Sequence, residues 1–231
     1  MSKSREAFRL LGEKRLIGLL SPPSAEDCLR AYEELSPLGI VLEVAFRTDA
    51  AAEGIRAVLE KHPDALLLAG TVLTRRQARE ALAAGAAGVV SPDFFPEVVE
   101  ECAAADAMAV PGGLSDCGKQ LALKAALYGC DLLELGEKHP HQWIYKLFPA
   151  AAGGQVFSGL ARAWRGPYPG LRIIHTGGVG LENLDALNRS DGEGVFCGSA
   201  LTAGRGKPGA MAAEARRWIE VLRPSLGATA V

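Results

Sequence analysis

A lysine stands in the middle of an apolar run that stops at a proline, Ile144-Tyr145-Lys146-Leu147-Phe148-Pro149. Withdrawing an ammonium from water costs several kcal/mol unless it is paired or neutral, so an interior lysine needs a reason. One reason is chemical: a neutral amine adds to a carbonyl carbon and goes on to an imine, which makes Lys146 a candidate nucleophile. An ordinary lysine titrates near 10.4, so at pH 7 only about one amine in 2,500 is neutral, a deficit of roughly 4 to 5 kcal/mol. Burial or a neighbouring cation reduces that deficit. A lysine on an edge strand reaching out to solvent is the plain alternative.

Glu43 lies in a second apolar run, Leu42-Glu43-Val44. A carboxylate buried opposite a lysine is either half of an ion pair or an acid/base whose raised pKa suits proton transfer. Arg47 and Thr71 follow strand-like runs and could hold a substrate carboxylate, by a two-pronged guanidinium contact and a hydroxyl. Gly177-Gly178, followed by the helix-like 181–187, and Gly198-Ser199 give two turns of bare backbone amides. Such turns hold an anion without any lysine, although tight turns alone also use glycine. The four histidines (His62, His139, His141, His175) lack metal-ligand spacing, and neither a metal nor another cofactor is expected. His139-Pro140-His141 reads as a solvated loop.

These residues need a scaffold that brings them together. Eight short apolar runs recur: 16–20, 40–45, 65–69, 88–90, 107–110, 144–148, 172–175 and 194–197. Between them lie amphipathic stretches at 25–35, 50–61, 75–84, 96–105 and 114–128. Gly39, Gly85 and Gly129 are placed to end helices. Alternation of this kind in 231 residues predicts an α/β fold, a (β/α)8 barrel, with an extra N-terminal helix over about 4–12 on its floor and a frayed tail at 225–231. The candidate residues lie in or just after the C-terminal parts of the strand-like runs, towards the face where barrel enzymes carry their chemistry.

Composition narrows the classes of function. With 48% hydrophobic residues, 23% charged and a net charge of -2, the chain fits one domain, 1–231, and offers no general basic field for nucleic acid. Five scattered cysteines without a close pair argue against a disulfide framework and for a reducing compartment. The charged start lacks the apolar core of a signal peptide, and no run is long enough to span a membrane. A cytoplasmic location with no membrane partner is therefore expected.

Together with these residues, the runs Ala69-Gly70-Thr71-Val72-Leu73, Ser91-Pro92, Pro111-Gly112, Lys146-Leu147-Phe148-Pro149-Ala150 and Thr176-Gly177-Gly178-Val179 occur in order. In them the chain resembles, over about 10–222, the 2-keto-3-deoxy-6-phosphogluconate (KDPG) and 4-hydroxy-2-oxoglutarate (KHG) aldolases. The resemblance implies a TIM barrel, usually a homotrimer, and a metal-free class I aldolase, a lyase that releases pyruvate and an aldehyde from a 2-keto-4-hydroxy acid, phosphorylated or not. It implies Lys146 as the Schiff-base residue, Glu43 as the acid/base, Arg47 and Thr71 at the pyruvate carboxylate and Phe148 beside the imine. Thr176, Gly177, Gly178, Gly198 and Ser199 would hold the phosphate or other distal end. Departures from the family pattern are Leu19-Leu20-Ser21-Pro22 in place of an arginine after the first strand, Ala45 in place of a threonine, Asp93-Phe94-Phe95 after Ser91-Pro92, and an apparent insertion at 134–143. Two other readings fit the same residues: a phosphate-binding barrel isomerase or epimerase with Glu43 as base, and a barrel that binds a phosphorylated sugar acid without turning it over.

Overall fold

The computed structural model describes residues 2–222. Eight parallel strands follow the expected runs: β1 (Leu16–Leu20), β2 (Val41–Ala45), β3 (Leu67–Gly70), β4 (Gly88–Val90), β5 (Met108–Val110), β6 (Ile144–Leu147), β7 (Arg172–Thr176) and β8 (Val195–Gly198). They pair in the order β5-β4-β3-β2-β1-β8-β7-β6. The ring closes where the chain leaving β5 passes Pro111 and pairs as Gly112–Gly113 with β6, Gly112 beside Lys146. This is a (β/α)8 barrel. Expected tail residues 225–231 lie outside the described residues.

Helices α1 (Lys3–Lys14), α2 (Ala25–Leu35), α3 (Ala50–Lys61), α4 (Arg75–Ala83), α5 (Pro96–Ala104), α6 (Cys117–Leu127), α7 (Leu135–Lys138), α8 (Ser158–Arg165), α9 (Leu181–Ser190) and α10 (Ala210–Leu222) complete the fold. Local signals set their ends. Ser24 and Thr74 accept from the amides of Asp27 and Gln77, as N-caps do. Gly39, Gly85 and Gly129 take the left-handed conformation after α-helical or 3-10 turns, at φ 74°, 98° and 68°. The helix expected from Leu114 starts later, at Cys117, because Asp116 is left-handed (φ 57°) and breaks the turn before it. Ile40 and Ala65 fall outside their expected strands because their amides bond back to Leu35 and His62.

Two apolar layers position the site. Between sheet and helices lies the larger core, with Leu42, Val44, Tyr145, Leu147 and Phe196 pointing outward. Inside the barrel Ile17, Val41, Leu68, Met108, Ile144, Ile174 and Val195 form a second cluster. Side chains alternate along a strand, so the residue two places on from each of these faces the same lumen nearer the C-terminal mouth. Leu19, Glu43, Gly70, Val110, Lys146, Thr176 and Cys197 are those residues. Ala7 and Leu11 of α1 plug the floor, and Arg172 clamps α1 by lying over the Phe8 ring at 3.8 Å. Among the described residues no helix is long and apolar enough to cross a membrane.

The 134–143 stretch precedes β6 and therefore lies at the floor, away from the mouth. It forms α7 and a 3-10 turn over Pro140–Gln142, and it corrects the expectation of a solvated His139-Pro140-His141 loop, since His141 is 1% exposed. The reason lies in the sheet: β6 pairs with Gly112–Gly113, leaving the lower part of β5 without a strand neighbour on that side. Gln142 substitutes for one, its side chain accepting from the Ala109 amide (3.0 Å) and donating to the Ala107 carbonyl (2.9 Å).

Lys124 of α6, fully buried, donates to the carbonyls of Ala109 and Gln142 on the same seam. Burial lowers its pKa to about 7. Unfolded, the amine titrates near 10.4, so between about pH 7 and 10 unfolding takes up a proton and stability rises with pH. Lys124→Met removes this contribution. The melting temperature of the wild type relative to that variant is expected to climb from pH 7 to 9 in calorimetry, and a constant difference would contradict the assignment.

Candidate active site

A cavity of about 300 Å³ opens at the C-terminal mouth. All ten candidate residues line it: Lys146, Glu43, Arg47, Thr71, Phe148, Thr176, Gly177, Gly178, Gly198 and Ser199. Leu19, Pro92, Val179 and Cys197 line it as well, although sequence reading assigned them no role in the site. The alternation that selects Lys146 two places after Ile144 also selects Leu19 after Ile17 and Cys197 after Val195, so the signal for those two was present. Of the positions where the family pattern is broken, Leu19 lines the cavity, whereas Ser21, Ala45 and Asp93-Phe94-Phe95 do not. Asp93 instead accepts from the Phe94 amide and from the Gln120 side chain.

Lys146 is 5% exposed and Glu43 3% exposed, facing the same lumen. Two glycines make room for them. A Cβ on Gly112 would come 2.8 Å from that of Lys146, and a Cβ on Gly70 would run into the Glu43 carboxylate. Burial pushes the Glu43 carboxyl above its ordinary range, opposed first by the charge of Lys146, then by a hydrogen bond from Cys197 and the charge of Arg47. The Lys146 amine sits over the Phe148 ring, 4.9 Å from its centroid, a face that favours a cationic nitrogen.

Arg47 is exposed at the rim, and its Nε donates to Thr71 Oγ1 at 3.1 Å. Thr71 is held at φ 56°, a conformation that costs a β-branched residue roughly 1 to 2 kcal/mol. Across the mouth Gly177 and Gly178 are left-handed, at φ 83° and 70°. Their backbone packs where a side chain would strike Phe148 and Ala151. Asn183 fixes the loop into α9, accepting from the Gly180 amide (3.0 Å) and donating to the Gly178 carbonyl (2.7 Å). His175, one residue before Thr176, faces the opposite way and bonds Asp191 at 2.8 Å in the helix layer. Among the described residues no group of three or more His, Cys, Asp or Glu side chains is gathered as for a metal ion.

A lone amine and a lone carboxyl, sharing a walled cavity with an arginine at one side and bare amides at the other, suit an anionic carbonyl compound. The family model for KDPG and KHG aldolase matches residues 9–206. The chain belongs to the KDPG and KHG aldolase family. Among curated KDPG/KHG aldolase relatives, the 2-dehydro-3-deoxy-phosphogluconate aldolase of Treponema pallidum is 37% identical over 180 residues, 77% of each chain. That of Haemophilus influenzae is 32% identical over 182 residues, 78% of each. The 4-hydroxy-2-oxoglutarate/2-dehydro-3-deoxyphosphogluconate aldolase from TTHB1 superposes with a TM-score of 0.75 at 30% identity, covering 94% of this chain and 98% of its own.

Proposed function

We propose that this cavity performs a class I aldol cleavage, taking a 2-keto-4-hydroxy acid to pyruvate and an aldehyde, with Lys146 as nucleophile and Glu43 as the single proton carrier. The observation that carries the proposal is the pairing of these two buried groups in one lumen, with the charge of Lys146 acting on Glu43. Neutral Lys146 adds to the C2 carbonyl, and loss of water gives a protonated imine. The C3–C4 bond then breaks, its electrons flowing to the imine nitrogen to give an enamine, while Glu43 takes the C4 hydroxyl proton directly or through water. The aldehyde departs. Glu43 returns the proton to C3, and water hydrolyses the imine to free pyruvate and the amine.

Phe148 supports the cationic imine from its ring face. Arg47 and Thr71 hold the substrate carboxylate, which fixes C2 against Lys146. Thr176, Gly177, Gly178, Gly198 and Ser199 take the far end of the substrate, where a phosphate or carboxylate is received by backbone amides and hydroxyls. The test is a lactate-dehydrogenase-coupled pyruvate assay over a panel of 2-keto-4-hydroxy acids, phosphorylated and not. Turnover of at least one is expected, and turnover of none would reject the reading.

A charged contact contributes roughly 1.5 to 3 kcal/mol. Arg47→Met is therefore expected to raise KM about 10- to 100-fold for whichever acid is turned over, with a smaller change in kcat. An unchanged KM would place the carboxylate elsewhere. A cytoplasmic homotrimer completes the proposal. Leu123 and Leu133, 45% and 70% exposed on and after α6, are apolar surface of the kind a subunit contact covers. Light scattering on the purified protein is expected to give three chains per particle.

A further inference from the structure

Cys197 is a cavity wall residue to which no role has been given. It lies on β8, in register with Thr176 of β7 and Ile17 of β1, and is 1% exposed. Its Sγ lies 3.6 Å from Glu43 Oε2, a hydrogen-bond length for sulfur, and it faces the lumen where Lys146 stands. We propose that Cys197 is a positioning residue for the aldol reaction, its S–H donated to Glu43 so that the carboxylate is held toward the lumen as a proton acceptor.

The inference rests on the assignment of Glu43 as proton carrier. Burial, and next the charge of Glu43, push the Cys197 thiol well above its ordinary range, which favours the protonated S–H that donates. A carboxylate can only accept, and a protonated S–H is a donor to it. The groups around Glu43 are few. Lys146 of β6 and Arg47 beyond β2 act on it through charge, Cys197 of β8 bonds it, and the neighbouring β1 and β3 present only Leu19, Leu68 and Gly70. With burial raising the Glu43 carboxyl, the thiol bond is one of three influences that favour its ionised form.

Removing the donor is expected to shift proton transfer toward higher pH. Pyruvate alone reports this step: once bound as an imine, its C3 hydrogens exchange with deuterium through Glu43, and proton NMR follows the loss of the methyl signal. Cys197→Val keeps bulk without a donor, and the acid limb of its exchange rate is expected to move up by about half a pH unit or more. Cys197→Ser keeps a donor and is expected to lie at or below the wild-type midpoint. If the valine variant fails to fold by its melting curve, Cys197→Ala takes its place with the same expectation. Acid limbs that coincide in wild type and donor-free variant, while borohydride traps pyruvate on both, overturn the role of Cys197 alone. Wild-type enzyme that forms no adduct overturns the aldolase assignment and this inference with it.

Discussion

Lys146→Ala is expected to reduce pyruvate release by about four orders of magnitude or more, because a nucleophile that forms the intermediate leaves no lesser route when removed. The imine does two things that no neighbour duplicates: it ties C2 to the protein, and it accepts the electrons of the breaking C3–C4 bond. Glu43 cannot replace it, since a carboxylate does not condense with a ketone to a stable electron sink. Lys146→Arg keeps the charge beside Glu43 but not the nucleophilicity, and it is expected to be as inactive as alanine. This separates the aldolase from an isomerase or epimerase with Glu43 as base, in which the lysine serves only through its charge. There the arginine variant would retain much of the turnover and the alanine variant a reduced level. The pyruvate-release assay on both variants distinguishes the two.

Glu43→Gln is expected to lower kcat by roughly 100- to 10,000-fold, the range typical of a lost general acid/base, while the imine still forms. Exchange of the pyruvate C3 hydrogens should fall by a similar factor, since the same carboxyl moves that proton. In the wild type the acid limb of kcat is expected above the ordinary carboxylate range, as burial raises Glu43 and Lys146 and Cys197 only partly restore it. Below that limb Glu43 is protonated and cannot accept the C4 hydroxyl proton, so turnover falls with falling pH. The glutamine variant should lack this limb. A glutamine variant with wild-type exchange would assign the proton transfers to another group or to water.

The lumen-facing half of the site was legible because the physics that builds it is local. An amine in the Ile144 run and a carboxylate in the Leu42 run stand out, since buried charge is costly, and period-two alternation then aims both at the lumen. The glycines at 177, 178 and 198 could be read as anion turns because their lack of side chains is itself the signal. Cys197 received no role for the opposite reason: alternation aims it at the lumen, but a thiol in an apolar strand looks like any small apolar residue until its distance to Glu43 is known. The 134–143 stretch was equally opaque. Its polar composition suggested solvent, whereas Gln142 is buried to satisfy backbone groups left by the lower part of β5, a need that arises only from how the barrel closes. Closure through Pro111-Gly112-Gly113 was hidden for a related reason, since a Pro-Gly-Gly sequence reads as a turn and not as strand.

The account stands on a covalent bond between Lys146 and the C2 carbon of a 2-keto acid. Incubating the enzyme with pyruvate, reducing with borohydride and mapping the peptides by mass spectrometry tests this directly. One pyruvate-derived group per chain is expected on Lys146, on no other lysine, and not in Lys146→Ala. No adduct, or one on another lysine, would contradict the account.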